Sequence, residues 1–526
     1  MKKILTYILP LCMALSSCDF LEEDPNSFVT QGDFFKSEQQ CRSAVNSTYT
    51  GLRSVYSTTL FTHLEGTTDL IRVPSISDVN AILDITPSGC NISRTVWSQG
   101  YKCVMNSNYA IAGIETAQID STASLKLLAE AKTMRAFWYY MLTSCFGDVP
   151  FYTMDVSDAD IMNEVGKYPR MSAYQTRKAM IEDLQSCFPY DTAGNYRGAL
   201  EQIRTYEMSE TGRAGWAMGM TLIGKMALWN AYDTEHADSA AFWYQTGLEA
   251  LLHVADVFGE LSQYPLEDLK FKYKNTPERI FEIQHTYING QLNYSGGLAT
   301  NCMPAHSKTT TVTEAGDTIE VHKFNGVEIP ELGTQMKVGT CNRPNRYFYQ
   351  GIQPDNDTDL RAELNMALEY EGKNFSNRSN HYMGPKFWCP YMYQTNDSNN
   401  YPVFRYADVL LMIAECYCGL QDQENYLKYL NMVKARAGLN EYVFQNWTKA
   451  HKEIRDERAR ELFGEFQRKF DLVRWGIWYE SVVDHTDMEE ILKNIKPCHR
   501  YLPIHDTQVI YSGYALDNNE YNQYGL

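Results

Sequence analysis

A chain of 526 residues with 44% hydrophobic side chains can bury a large core, and its length suits either two or more domains or one stack of helical repeats. Its formal charge of -18, from 47 Lys and Arg against 65 Asp and Glu, disfavours nucleic acid and anionic lipid headgroups, which both require concentrated positive charge. Neutral ligands fit this balance better, and past the N-terminal residues no stretch reaches the roughly 18 apolar residues of a membrane span.

The chain opens with Lys2 and Lys3 before an apolar run from Ile4 to Ala14, too short to cross a bilayer, so residues 1–17 are expected to be an export signal. The run ends in Leu15-Ser16-Ser17-Cys18, which resembles the lipobox of bacterial lipoproteins. That resemblance implies cleavage before Cys18, lipidation of Cys18 and a lipid-held outer-membrane protein. Residues 18–30 then form a tether, whose acidic start Asp19 to Pro25 resembles a surface-export signal, so the expected display is toward the cell exterior.

Removal of residues 1–17 leaves 509, expected to form one domain over 31–526. Leu127, Ala131, Met134, Trp138, Met141 and Cys145 recur in steps of four and three, which predicts an amphipathic helix stopped at Gly147-Asp148-Val149-Pro150. A second helix follows through Ala173, Ile181, Leu184 and Cys187, giving a hairpin over about 122–188. A second pair is read from Arg213 to Tyr232 and from Ala240 to Val257 (about 211–257), with Gly212, Gly215 and Gly219 allowing close backbone approach. From about 273 to 402 the chain is rich in Asn, Gly, Thr and Tyr, with short β-like runs such as Arg279 to Tyr287, and is expected to be loop-rich. A third hairpin runs through Leu410, Leu411 and Ala414, turns at Gln421-Asp422-Gln423 and returns to Gly438; Arg405 to Gly438 has the length of a tetratricopeptide unit, roughly 34 residues. A C-terminal helix and tail occupy about 449–526. Of the thirteen cysteines one lies in the signal segment and Cys18 is the lipid anchor; the others are read as buried thiols, since most lie in apolar helical patterns. Cys416 and Cys418 diverge by about 200° on a helix and cannot share a metal ion.

Several blocks carry a family resemblance. Phe404 to Glu415 (FRYADVLLMIAE), Asn431 to Leu439 (NMVKARAGL), Ile454 to Leu462 (IRDERAREL), Phe470 to Gly476 (FDLVRWG) and Leu502-Pro503-Ile504-His505 resemble, in order, the hallmark blocks of the SusD/RagB family. Ala129 to Lys132, Arg135 to Phe137 and Phe146 to Pro150 are similar to its "AEA, RAF, FGDVP" helix, and Trp97, Tyr101 and Asn108 to its W, Y, N helix. His505 departs from the family's closing "LPIP". The resemblance spans most of the mature chain. It implies a mainly α fold, with tetratricopeptide-like hairpins packed on an irregular region of short strands. It also implies a non-catalytic lipoprotein that captures oligosaccharides and hands them to a TonB-dependent, SusC-like transporter. Physically the blocks read as framework: in Arg455 to Glu461 acids and bases interleave, and Asp456 with Arg460 at i, i+4 is expected to pair.

No zinc-protease, phosphate-loop, nucleophile-elbow or haem motif is present, and no cofactor or metal is expected. Asp355, Asp357 and Asp359 lack the glycine and glutamate of a calcium loop, because Leu360 and Met366 stand there; Asp359-Leu360-Arg361 is instead similar to a structural family block. Sugar capture needs aromatic faces for pyranose rings and planar polar groups for hydroxyls, in irregular segments. Tyr287, Asn293 and Tyr294, then Arg343, Tyr347 and Tyr349, and earlier Asp69, Arg72, Asp78 and Asn91 satisfy both conditions. At least one of Tyr294, Tyr347 and Tyr349 is expected to stack on the glycan, whereas Trp97 and Trp388 are assigned to the core. The alternative is a tetratricopeptide scaffold that binds a protein or peptide in its concave face.

Overall fold

The computed structural model describes residues 34–187, 212–286, 295–302, 307–324, 327–328, 342–354, 358–367, 369–370, 373–374, 381–389 and 396–526. The signal segment, Cys18 and the tether lie outside these residues.

Helices dominate. The long ones are α1 (Glu38–Ser47), α2 (Asn91–Thr116), α3 (Ser121–Phe146), α4 (Ala173–Cys187), α5 (Trp216–Ala231), α6 (Ala240–Phe258), α7 (Tyr406–Leu420), α8 (Gln423–Arg436) and α9 (Trp447–Glu461), followed by the short α10 (Arg468–Arg474) and α11 (Trp478–His485). Each of α1 to α8 packs on a neighbour in a continuous stack, α1 on α2, α2 on α3, α3 on α4, α4 on α5, α5 on α6, α6 on α7 and α7 on α8, with α9 against α7. This is the expected series of hairpins, because an amphipathic hairpin buries its apolar stripe only against the next one. Trp138, Leu411 and Leu430 are fully buried in one core, and Trp97 and Trp388 are also buried.

Local chemistry sets the ends. Asp120 caps α3, its carboxylate accepting from the Thr122 and Ala123 N–H groups at 2.9 and 3.0 Å, and Gly147 at φ +71° ends it. Tyr101 then pins the turn by donating to the Pro150 carbonyl at 2.7 Å, and Arg135 donates to the Asn108 side chain at 2.8 Å. Close approach of α5 and α6 depends on Gly224: a Cβ there would lie 2.5 Å from Leu251 Cδ2. Gly215 caps α5 instead of lying inside it.

Two expected boundaries move. Arg405 ends a strand, β6 (Tyr401–Arg405), antiparallel to β2 (Arg279–Ile283) with register shifts after Pro402 and Phe404, so α7 starts one residue later. Trp97 lies in the second turn of α2, which begins at Asn91 with no side-chain cap from Cys90. The loop-rich region carries short antiparallel pairs: β1 (Ile71–Arg72) with β3 (Arg343–Pro344), β4 (Met366–Ala367) with β5 (Tyr382–Met383), and a hairpin of Ser307–Val312 with Thr318–Phe324. Among the described residues none of the ten cysteines forms a disulfide; nine are buried and Cys187 is half-buried.

Candidate functional site

The hallmark blocks converge on a buried ion network. Arg361 reaches Asp359, Glu457 and Glu461, each at 2.7 Å, with all four side chains inaccessible to solvent. Arg405 binds Glu278, Glu461 and Glu465 at 2.8, 2.6 and 2.7 Å, and Arg436 adds a second cation to Glu278 and Glu461. Arg458 and Arg474 share Asp471, and Arg474 clamps Glu415 through both guanidinium nitrogens at 2.6 and 2.7 Å. A buried carboxylate persists as an ion only when so paired. Burial alone would raise the Glu457 carboxyl, yet Arg361, Arg460 and Lys434 outweigh burial and bring it down to about 2. Such groups hold the fold and stay ionised at any physiological pH. The expected pairing of Asp456 with Arg460 is corrected: Asp456 meets Lys452, while Arg460 turns back one helical turn to Glu457 and two to Glu453. Other carboxyls go the other way; Glu65 rises to about 8 and Asp397 to about 6, both driven chiefly by burial, and both are sealed in the interior.

At the surface the β1–β3 pair brings Arg72 opposite Arg343. Arg72 makes an ion pair with Asp487 at 3.5 Å, both part-exposed, and the Arg343 guanidinium lies 4.9 Å from the Tyr382 ring centroid. The chain then turns through a π-helical segment, Phe348–Ile352, moored by Phe348 stacking on Phe463 at 4.1 Å. Half-buried Tyr347 and Tyr349 flank Phe348; Tyr347 lies 3.6 Å from the His485 ring and Tyr349 stacks on His381 at 3.8 Å and 14°. The pivot is buried Asn345. Its backbone N–H donates to the Leu70 carbonyl at 2.7 Å, its side-chain oxygen accepts from Tyr347 N–H at 2.7 Å, and its amide donates to the His485 carbonyl at 3.0 Å. Burial, with the charges of Asp456 and Asp69, pushes the Tyr347 phenol up to about 12, so it is a neutral donor.

Four sequence candidates, Arg72, Arg343, Tyr347 and Tyr349, therefore share one irregular face. Asp69 is a correction: 1% exposed, it grips Arg468 through both oxygens at 2.8 and 2.7 Å and accepts from Ser481, so no hydroxyl of a ligand reaches it. Asp78 is half-buried and folds its own turn, accepting from Asn80 N–H at 2.9 Å. Asn91 is corrected from loop to the first residue of α2; its side chain is exposed, and the helix start is tied to the C-terminal segment by Ser93 donating to the Pro503 carbonyl. Tyr287, Asn293 and Tyr294 lie outside the described residues. Asn345, His381, Tyr382, His485 and Asp487 were missed, because only the fold brings residues 381–382 and 485–487 beside 343–349.

The fold and this face define a helical-repeat protein that presents an irregular aromatic and polar loop surface. The sequence model described as the SusD family matches residues 311–523, and the model described as "Starch-binding associating with outer membrane" matches residues 19–188. Along the whole chain it resembles SusD-like protein P25 of Formosa agariphila, 26% identical over 96% of this chain and 95% of that one, and in part SusD-like protein P2 of the same organism, 28% identical over 35% and 37%. Solved structures agree in fold. A SusD homolog from Bacteroides thetaiotaomicron superposes with a TM-score of 0.71 at 16% identity, over 92% of this chain and 97% of that one. Surface glycan-binding protein A from the same organism, in complex with laminarihexaose, gives 0.66 at 18%, over 92% and 100%. The chain belongs to the SusD/RagB family.

Proposed function

We propose that this protein is a glycan-capturing lipoprotein of the cell surface, held in the outer membrane by lipid on Cys18, which passes oligosaccharides to a TonB-dependent transporter. The observation that carries the reading is the face on which Tyr347 and Tyr349, each set against an imidazole, adjoin Arg72 and Arg343. Aromatic faces suit the apolar side of a pyranose ring, and guanidinium groups suit its hydroxyls. Asp78, Asn91, Tyr287, Asn293 and Tyr294 are further proposed glycan contacts, the last three outside the described residues. Support comes from fold neighbours named for glycan binding, one of them in complex with laminarihexaose and another described as laminarin binding. Association with the outer membrane is the description of the family matched by residues 19–188, and among the described residues no helix is long and apolar enough to cross a membrane.

The test is a glycan array of residues 19–526, followed by calorimetric titration of Tyr294→Ala, Tyr347→Ala and Tyr349→Ala against the best glycan found. At least one variant should lose about 1 kcal/mol or more of affinity, in keeping with aromatic stacking, without loss of stability. Three unchanged affinities would place the sugar elsewhere, and retention of peptides with no glycan bound would favour the scaffold alternative.

A further inference from the structure

Every buried arginine in the ion network has a carboxylate within reach, and the same holds for the buried Arg135 and Arg468, which pair with Asp183 and Asp69. Arg177, on α4, does not. It is 3% exposed, and among the described residues it has no ion-pair partner; one nitrogen donates to the Thr143 carbonyl at 3.2 Å, and its Nε is buried without an acceptor. The guanidinium lies over the Trp229 ring at 4.3 Å. A guanidinium has five donors, and leaving a buried cation uncompensated costs far more than an ordinary unmade hydrogen bond. Burial accordingly holds Arg177 below the usual arginine value, with the charges of Tyr501, Tyr140, Asp233 and Asp148 only partly offsetting it.

Arg177 lies where two adjoining hollows meet, of about 380 and 460 Å³, both lined by Arg177, Asp233, Arg500 and Tyr501. These volumes fall in the range of small-molecule pockets, about 300–1,000 Å³. Half-buried Tyr232, Tyr479 and Tyr501 supply aromatic walls, and Arg500 stands at the rim in a part-exposed pair with Glu520. Of the carboxylates nearby, Asp233 accepts from the backbone of Glu235 and His236 and from the His236 ring, Asp148 from Ala173 N–H, and Asp517 from Arg170, while Glu235 and Glu480 line the hollows as exposed side chains. One strong donor set thus faces a cleft of aromatic walls with no anion assigned to it.

We infer that this cleft is a second ligand site, in which the Arg177 guanidinium takes the carboxylate of an acidic sugar while the tyrosine walls pack on its ring. A planar carboxylate matches the fork of a guanidinium, and a charge-assisted pair in a sheltered cleft is stronger than a neutral hydrogen bond. The cleft is separate from the face around Tyr347: α11 spans the interval, Trp478 lining the cleft at its start and His485 meeting Tyr347 at its end. The anion part of the assignment stands on Arg177 alone; the sugar part rests on the glycan-capture reading.

The experiment is calorimetric titration of the purified protein with tri-galacturonate, with cellotriose as neutral control and sodium sulfate as the free anion. The expected result is binding of tri-galacturonate, weakened about tenfold or more by Arg177→Gln, weakened by added salt, and unmatched by cellotriose. Tyr349→Ala should leave this binding unchanged, which separates failure of the cleft from failure of the loop face. Should Arg177→Gln unfold in a thermal scan, Tyr479→Ala at the cleft wall carries the same comparison. No binding of tri-galacturonate, or equal binding by wild type and both cleft variants, overturns the site. Sulfate binding as tightly as tri-galacturonate overturns its assignment to a sugar.

Discussion

Glu457→Gln tests the buried ion network with little change in shape. In the folded protein the Glu457 carboxylate is inaccessible to solvent and lies 2.7 Å from both Arg361 and Arg460. These cations, with Lys434, bring its carboxyl from 4.5 down to about 2 against the opposing effect of burial. At 1.36 kcal/mol per unit, that difference corresponds to about 3 kcal/mol of stability at neutral pH. The sign follows from linkage: a carboxyl with a depressed folded value contributes fully above its unfolded value of 4.5, and the contribution is lost as pH falls toward about 2. Glutamine removes the charge and leaves Arg361 and Arg460 under-compensated, a loss of the same order as that found when buried pairs are broken. Denaturant unfolding followed by circular dichroism should place the variant about 3 kcal/mol below wild type near pH 7 but only about 1 kcal/mol below it near pH 3. An equal gap at the two pH values would refute the reasoning, since it would mean that the lost stability was packing and not charge.

Lys469 offers the reverse case: 1% exposed, with Nζ 3.3 Å from His63 Nε2 and no carboxylate paired to it among the described residues, it is brought down to about 7 by burial, Cys145 and Cys90 offsetting this only in part. For a base with a depressed folded value, stability falls as pH drops from the unfolded value of 10.5 to about 7, so Lys469→Met should gain about 3 kcal/mol on wild type between about pH 9.5 and pH 7; a constant difference would count against it. Cys18→Ala should release the protein from membranes, because acyl chains supply most of the affinity of a chain with this negative charge; fractionation of cells lacking the transporter checks it, and a variant still on the membrane would contradict it.

What is local or periodic can be read from the residues alone. Residues three and four apart share a helix face, so Leu127 to Cys145 and Leu410 to Ala437 announced their helices and their buried sides, and Gly147 and Gln421-Asp422 announced the stops. The blocks at 404–415 and 454–476 likewise announced the family, and Asp359-Leu360-Arg361 its structural role. What depended on distant partners stayed hidden. Asp69 has the look of a loop ligand until Arg468, 399 positions away, covers both its oxygens. The start of α2 carries no capping side chain at Cys90, so Asn91 could not be told from the loop before it. Arg72 and Arg343 meet through a pair of two-residue strands, too short to leave any alternation in sequence. Nothing in the sequence sets Arg177 apart from other charges on a helix; only the stacking of α4 on α3 and α5, which buries it at Trp229 without an anion, makes it a candidate site. Tertiary structure decides such cases because burial and pairing depend on which segments meet in space, and a carboxylate or guanidinium acts according to its neighbours.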